Sequence, residues 1–145
     1  MQALASLSLV PGSDTVAKAL AWLEVIAEQE RWPDRTAFRL SLCLDEALAN
    51  IVMHGFKGRS GDASAARIAL QIQAGEQQIV LEITDNGMPF DPTQVVPPDL
   101  AVSVEDASLG GHGLRLMQHY LQDIQYRRIQ GQNHLRLTCA SSPVA

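Results

Sequence analysis

Apolar and polar positions alternate with a two-residue period near the start of the chain, in its middle and near its end. Longer stretches between them follow the helical period. Leu4, Ser6, Ser8 and Val10 alternate with Ala5, Leu7 and Leu9, which predicts a short strand stopped by Pro11-Gly12. Ser13 or Asp14 is placed to cap a helix that runs to about Glu30, with Val16, Leu20, Leu23 and Ala27 on its apolar face. Trp32-Pro33 breaks it. Asp34 is placed to cap a second helix through Phe38, Leu42 and Asp45-Glu46 to about Phe56, followed by a polar connection, Gly58 to Ser64. Ile68, Leu70 and Ile72 then alternate with Arg67, Gln71 and Gln73, and Ile79, Leu81 and Ile83 with polar partners. Gly75-Glu76 between these runs predicts a hairpin.

A stretch from Asp85 to Gly113, rich in proline and glycine, contains at most a short helix over Leu100 to Glu105. A connection this long in a compact domain is usually functional or mobile. A firmer helix follows from about His112 to Leu121, with Leu114, Met117 and Leu121 on one face. Two closing strands, Ile124 to Ile129 and His134 to Thr138, flank a turn at Gly131-Gln132-Asn133. The order β-α-α-β-β-loop-α-β-β lacks regular strand–helix alternation. It predicts an α+β fold: a two-layer sandwich of a mostly antiparallel, mixed sheet with helices on one face.

Length and charge narrow the picture. A chain of 145 residues predicts a single domain spanning residues 1–145. The net charge of -5 argues against nucleic-acid binding, which needs a basic footprint. No apolar run approaches the ~20 residues that span a bilayer, and Met1 to Val10 has no basic residue before its apolar part. The expectation is therefore a cytoplasmic protein without membrane attachment. Cys43 and Cys139 could form one disulfide, but they fall in apolar patterns and read as buried or semi-buried thiols.

Three segments carry candidate chemistry. Glu46 and Asn50 are four apart, one turn from each other on one helix face, and His54 continues the stripe. An asparagine oxygen is a hard ligand suited to Mg2+, and a carboxylate one turn away can take a proton from a hydroxyl. The same stripe also reads as a solvated polar face, although Leu44, Ala47, Leu48, Ile51 and Val52 leave that face narrow. Asp85-Asn86-Gly87 ends an apolar strand. It reads as a plain turn, or as an acceptor for an exocyclic amine. Gly110-Gly111-His112-Gly113 opens a helix, where backbone amides can approach phosphate oxygens. It also reads as a flexible loop; it is not a P-loop, since no Gly-Lys-Ser or Gly-Lys-Thr occurs. The four histidines show no zinc-ligand spacing.

In this order the segments resemble the N, G1 and G2 boxes of the GHKL ATPase superfamily, and within it the anti-sigma-factor serine/threonine kinases of bacterial partner switching. Glu46, Asn50 and His54 match the first box. Asp85-x-Gly87-x-Pro89-Phe90-Asp91 matches the second, and Gly110 to Leu114 the third. The tail Tyr126-Arg127-Arg128, Gly131-x-Asn133 and Leu135-x-Leu137 is also similar to this family. The resemblance implies a Bergerat-type sandwich that binds Mg-ATP, with Asn50 on the metal and Glu46 as general base toward a protein serine. It implies that Asp85 receives the adenine amine and that Gly87 permits close approach, with His54 and Phe90 nearby. A lid over residues 99–113 would bring Gly110, Gly111, Gly113 and Leu114 to the phosphates. The family usually carries a threonine between Leu135 and Leu137, where this chain has Arg136; Thr138, two residues on, is the candidate on that side. The implied partners are a STAS-type anti-anti-sigma protein, a sigma factor or similar regulator, and a second copy in a homodimer. The alternative is a nucleotide-tuned protein-binding module with little or no kinase activity.

Overall fold

The computed structural model of the chain describes residues 1–56, 65–94 and 111–141. Its elements, in order, are β1 (Gln2–Leu9), α1 (Thr15–Glu30), α2 (Asp34–Asn50), a π-helical turn (Ile51–Gly55), β2 (Ile68–Ala74), β3 (Gln78–Asp85), a 3-10 turn (Pro92–Gln94), α3 (Gly111–Tyr120), β4 (Asp123–Ile129) and β5 (Gln132–Ala140). The five strands form one sheet in the order β1-β2-β3-β5-β4, and each neighbouring pair is antiparallel. The α+β sandwich expected from the sequence is therefore present, but its sheet is antiparallel throughout the described residues rather than mixed. The polar connection at 58–64 and the short helix at Leu100 to Glu105 lie outside the described residues.

Register follows from alternation. On the inner face Leu9, Leu70, Ile72, Ile79, Leu81, Ile83, Leu135 and Leu137 are buried against helix residues that include Leu23, Leu40, Leu44, Leu48 and Met117. At ~25 cal/mol per Å2 of apolar surface, each buried Leu or Ile contributes about 2 kcal/mol, so this shared face is what holds helices and sheet together. Cys43 and Cys139 are free thiols in the same core. Burial pushes the Cys43 thiol up to about 12, with smaller contributions from Cys139 and Glu46, and burial also raises Cys139.

Four local expectations differ from the structure. The core face of α1 is Thr15, Ala19, Leu23 and Ile26, whereas Val16 and Leu20 are half-buried. No side chain caps α1 from Ser13 or Asp14. Thr15 acts from inside the first turn instead: its Oγ1 accepts from Gly12 N at 2.7 Å and donates to Val10 O at 2.9 Å. Asp14 pairs with Lys18 at 2.9 Å. At the other end of α1, Arg31 is left-handed (φ 54°), and the Arg31 and Trp32 amides bond Glu28 O and Ala27 O, closing a Schellman motif. Asp34 is the first residue of α2, not its cap; Pro33 holds that position. The last hairpin differs as well. Its turn is Gln130-Gly131, both left-handed (φ 50° and 77°), as a two-residue I′ hairpin demands. Gln132 and Asn133 thus belong to β5.

The two sheet edges differ. β4 carries Asp123, Arg127 and Arg128, whereas β1 has no charged side chain and is interrupted only by a register shift between Ala3 and Ala5.

Candidate functional site

The C-terminal end of α2 meets the C-terminal end of β3. Glu46 and Asn50 are half-buried, one turn apart, beside a face on which Cys43, Leu44, Ala47 and Leu48 are buried. After Asn50 the helix widens into the π turn, which ends at Gly55. Such turns are rare and frequently lie at functional sites. This one puts the Gly55 carbonyl against the turn after β3: Met88 N donates to Gly55 O at 2.6 Å. A Cβ on Gly87 would lie 2.5 Å from that oxygen and 2.9 Å from the Gly55 carbonyl carbon. Glycine at position 87 is therefore required by the helix end itself. His54, in the same turn, stacks on Phe90, ring centroids 5.2 Å apart and planes 23° from parallel.

Asp85 is in phase with Ile79, Leu81 and Ile83, so its carboxylate turns inward and is 3% exposed. Its Oδ1 accepts from Gly87 N and from Asn133 Nδ2, both at 2.9 Å. Oδ2 accepts nothing among the described residues. A buried carboxylate without a cation bonded to it is costly unless donors surround it. Asn133, opposite Asp85 on β5 and 4% exposed, supplies one of those donors. Its Nδ2 also donates to Met88 O at 2.8 Å, while its Oδ1 accepts from Arg128 Nη1 at 3.1 Å and from the Tyr126 hydroxyl. Arg128 Nη1 reaches Gly87 O at 2.8 Å as well. Asn86 fastens the turn from the other side: its side chain accepts from Arg67 N at 2.8 Å and donates to Ala65 O at 2.7 Å. Asp91 accepts from Thr93 N at 2.8 Å and caps the 3-10 turn.

The structure thus gathers His54, Asp85, Gly87 and Phe90 in one place, with Glu46 and Asn50 on the helix leading to it. It does not bring Thr138 there. Thr138 pairs with Val80, on the sheet face opposite Asp85, because Asn133, Leu135, Leu137 and Cys139 take the inner face. Arg136 shares that outer face, 3.9 Å from Glu82. The β5 residue beside Asp85 is Asn133, whose part in the site sequence reasoning missed. The available signal was its phase: it is a polar residue in step with buried Leu135 and Leu137. Gly111, Gly113 and Leu114 form the first turn of α3, which packs on α2 through the Arg39 guanidinium over the Tyr120 ring at 5.6 Å. Gly110 and residues 99–110 of the expected lid lie outside the described residues. A groove of about 550 Å3 between α1 and α2, lined by Leu20, Trp32 and Phe38 among others, shares no residue with this cluster.

The donor set fits a nucleotide. Asp85 Oδ2, the open oxygen of an otherwise buried carboxylate, is an acceptor suited to an exocyclic amine. Among the described residues no three His, Cys, Asp or Glu side chains could hold a metal ion by themselves. A cation here would need oxygens from its own ligand beside Asn50, which is how Mg2+ is commonly held.

A helix end locked to an acidic strand end on one antiparallel sheet defines the class. The chain belongs to the histidine kinase-like ATPase domain family, whose model matches residues 11–139. Within that family it groups with protein serine/threonine kinases. It is 46% identical over 138 residues to the serine/threonine-protein kinase BtrW of Bordetella bronchiseptica, covering 95% of this chain and 94% of that one. It is 30% identical over 96 residues to the serine-protein kinase RsbW of Bacillus cereus, covering 63% of this chain and 57% of RsbW. Among solved structures it resembles the RsbU and RsbW domains of Rv1364c from Mycobacterium tuberculosis, with a TM-score of 0.62, 14% identity, and coverage of 94% of this chain and 32% of that one.

Proposed function

We propose that this chain is a Mg-ATP-dependent protein serine/threonine kinase that also acts as an anti-sigma-type regulator. The single observation that carries the nucleotide site is the buried Asp85 carboxylate, held on one oxygen by Gly87 N and Asn133 Nδ2 and left with the other for a ligand amine. The stacked rings of His54 and Phe90 would flank the bound nucleotide. The Asn50 oxygen would share Mg2+ with nucleotide phosphates, and the amides of Gly111, Gly113 and Leu114 at the start of α3, with Gly110 before it, would face the phosphates. Bound Mg-ATP supplies the phosphoryl group and neutralises its charge; the protein's contribution is positioning and electrostatics. Glu46, one turn before Asn50, would accept the proton of the attacking serine hydroxyl. Residues 99–113 would serve as the lid of a single 145-residue domain.

The protein substrate in this reading is a STAS-type anti-anti-sigma protein, and the sequestered partner a sigma factor or similar regulator. Similarity to BtrW and RsbW supports this. A homodimer is supported by the uncharged β1 edge, where a second copy can add its own β1. No described helix is long and apolar enough to cross a membrane, in keeping with action in the cytoplasm.

Calorimetric titration with Mg-ATP, wild type beside Asn50→Ala, tests the site; Mg-dependent binding is expected, and it is lost in the variant. Glu46→Gln separates catalysis from binding. It should keep nucleotide affinity and lose phosphorylation of the STAS-type protein. Retained phosphoryl transfer would remove Glu46 as the base.

A further inference from the structure

We infer that Asn133, backed by Arg128 and Tyr126, is the positioning residue that makes Asp85 selective for a purine carrying an exocyclic amine. The inference rests on the nucleotide reading above. The amide of Asn133 has four hydrogen-bonding sites, and all four are used. The two Nδ2 hydrogens go to Asp85 Oδ1 and Met88 O, and the two Oδ1 lone pairs take Arg128 and Tyr126. A flipped amide would set its oxygen against a carboxylate and a carbonyl, so the orientation is unique.

The arrangement solves an electrostatic problem. A buried carboxylate is usually balanced by a direct cation, and arginine engages carboxylates through both oxygens. An arginine bonded straight to Asp85 would use the oxygen that a ligand needs. Here the guanidinium of Arg128 stands one residue back, on Asn133 Oδ1 and Gly87 O. The neutral amide passes the stabilisation to Oδ1 alone and leaves Oδ2 open. The same amide fixes the carboxylate plane, because Oδ1 is held from two directions by Gly87 N and Asn133 Nδ2. Asp85 therefore presents one oriented acceptor lone-pair set to the ligand, and a base without an amine leaves it unmatched. A hydrogen bond to a charged group that discriminates in this way amounts to about ten- to a hundredfold in affinity.

The test compares ATP with purine riboside triphosphate, which lacks only the amine, on the full chain. Affinities are measured for wild type, Asn133→Ala and Arg128→Ala, with melting curves alongside. Wild type should prefer ATP by about ten- to a hundredfold. In Asn133→Ala the ratio should fall to within about threefold of unity, and Arg128→Ala should lie between. Arg128 is on the exposed hairpin, so its variant folds even if Asn133→Ala does not, and its ratio then decides. A ratio unchanged from wild type in the folded variants, even with both affinities weaker, would make Asn133 merely structural and overturn the inference. A wild type that binds ATP without preference would overturn it too. Absence of any ATP binding by wild type would instead defeat the nucleotide reading beneath it.

Discussion

Replacing Gly87 by alanine probes the contact between helix end and strand end. The added Cβ would lie 2.5 Å from Gly55 O, 2.9 Å from Gly55 C and 3.0 Å from Asp85 Oδ1. An unstrained contact needs roughly 3.5 Å, so something must retreat by about 1 Å. Two of the three obstacles are backbone atoms, which cannot rotate away. The π turn has to move off, and the Met88 N to Gly55 O bond, 2.6 Å in the native structure, breaks. Overpacking of this kind costs about 1–3 kcal/mol and the broken bond about 1 more, so Gly87→Ala should lose about 2–4 kcal/mol. Urea denaturation without nucleotide measures this, and amide exchange at Met88 reports the broken bond. Gly55→Ala is the control: its Cβ would meet Ile51 at 3.7 Å and Asp85 at 3.8 Å, ordinary contacts, and should change stability by less than about 1 kcal/mol. If Gly87→Ala stays within about 0.5 kcal/mol of wild type with Met88 protection intact, the close approach is not a constraint and the reasoning fails.

Three further outcomes are expected. Arg31 closes α1 in a left-handed conformation that glycine adopts freely, so Arg31→Gly should raise the denaturation midpoint by the equivalent of about 0.5 kcal/mol; a loss would show that the Arg31 side chain matters more than its backbone. Gln130→Asn should stabilise the I′ hairpin by a few tenths of a kcal/mol, about 0.3, read by the same assay. Burial raises the Cys43 thiol from 9.0 to about 12, so the native state holds a proton that the unfolded chain releases first. Its stabilisation is complete below about pH 9 and is lost as pH rises toward 12. Urea midpoints at rising alkaline pH should therefore fall more steeply for wild type than for Cys43→Ala, and parallel slopes would contradict the assignment.

Strand and helix periods were legible wherever one face is buried, since Ile79, Leu81 and Ile83, or Leu40, Leu44 and Leu48, state their side plainly. Helix α1 was less so. Ala17, Ala21 and Val25 make it apolar almost all round, and the choice between a Leu20 face and an Ala19-Leu23-Ile26 face was left to tertiary packing. The last hairpin shows how a small error spreads. Centring the turn on Gly131-Gln132-Asn133 instead of Gln130-Gly131 takes Asn133 out of the strand, and the resemblance then pointed to Arg136 and, two residues on, Thr138. Because side chains alternate, the true register turns Asn133 inward beside Asp85 and Thr138 outward beside Val80. The acidic and glycine positions were legible from motif order. The reason for Gly87 was not, because the atom it avoids belongs to a residue thirty-two positions earlier in the chain.

The unlike edges of the sheet set a limit on assembly. A strand can be added beside β1, but β4 carries Asp123, Arg127 and Arg128 and discourages pairing. In the proposed homodimer, two copies joined β1 to β1 across a twofold axis would each use the one receptive border among the described strands. The pairing would be isologous and self-terminating: a continuous ten-stranded sheet with charged strands at both outer margins. Growth into filaments, the usual hazard of an exposed strand, would then be stopped by geometry rather than by affinity. Placing a single lysine at Ser6 or Ser8 should then yield monomers, never longer oligomers.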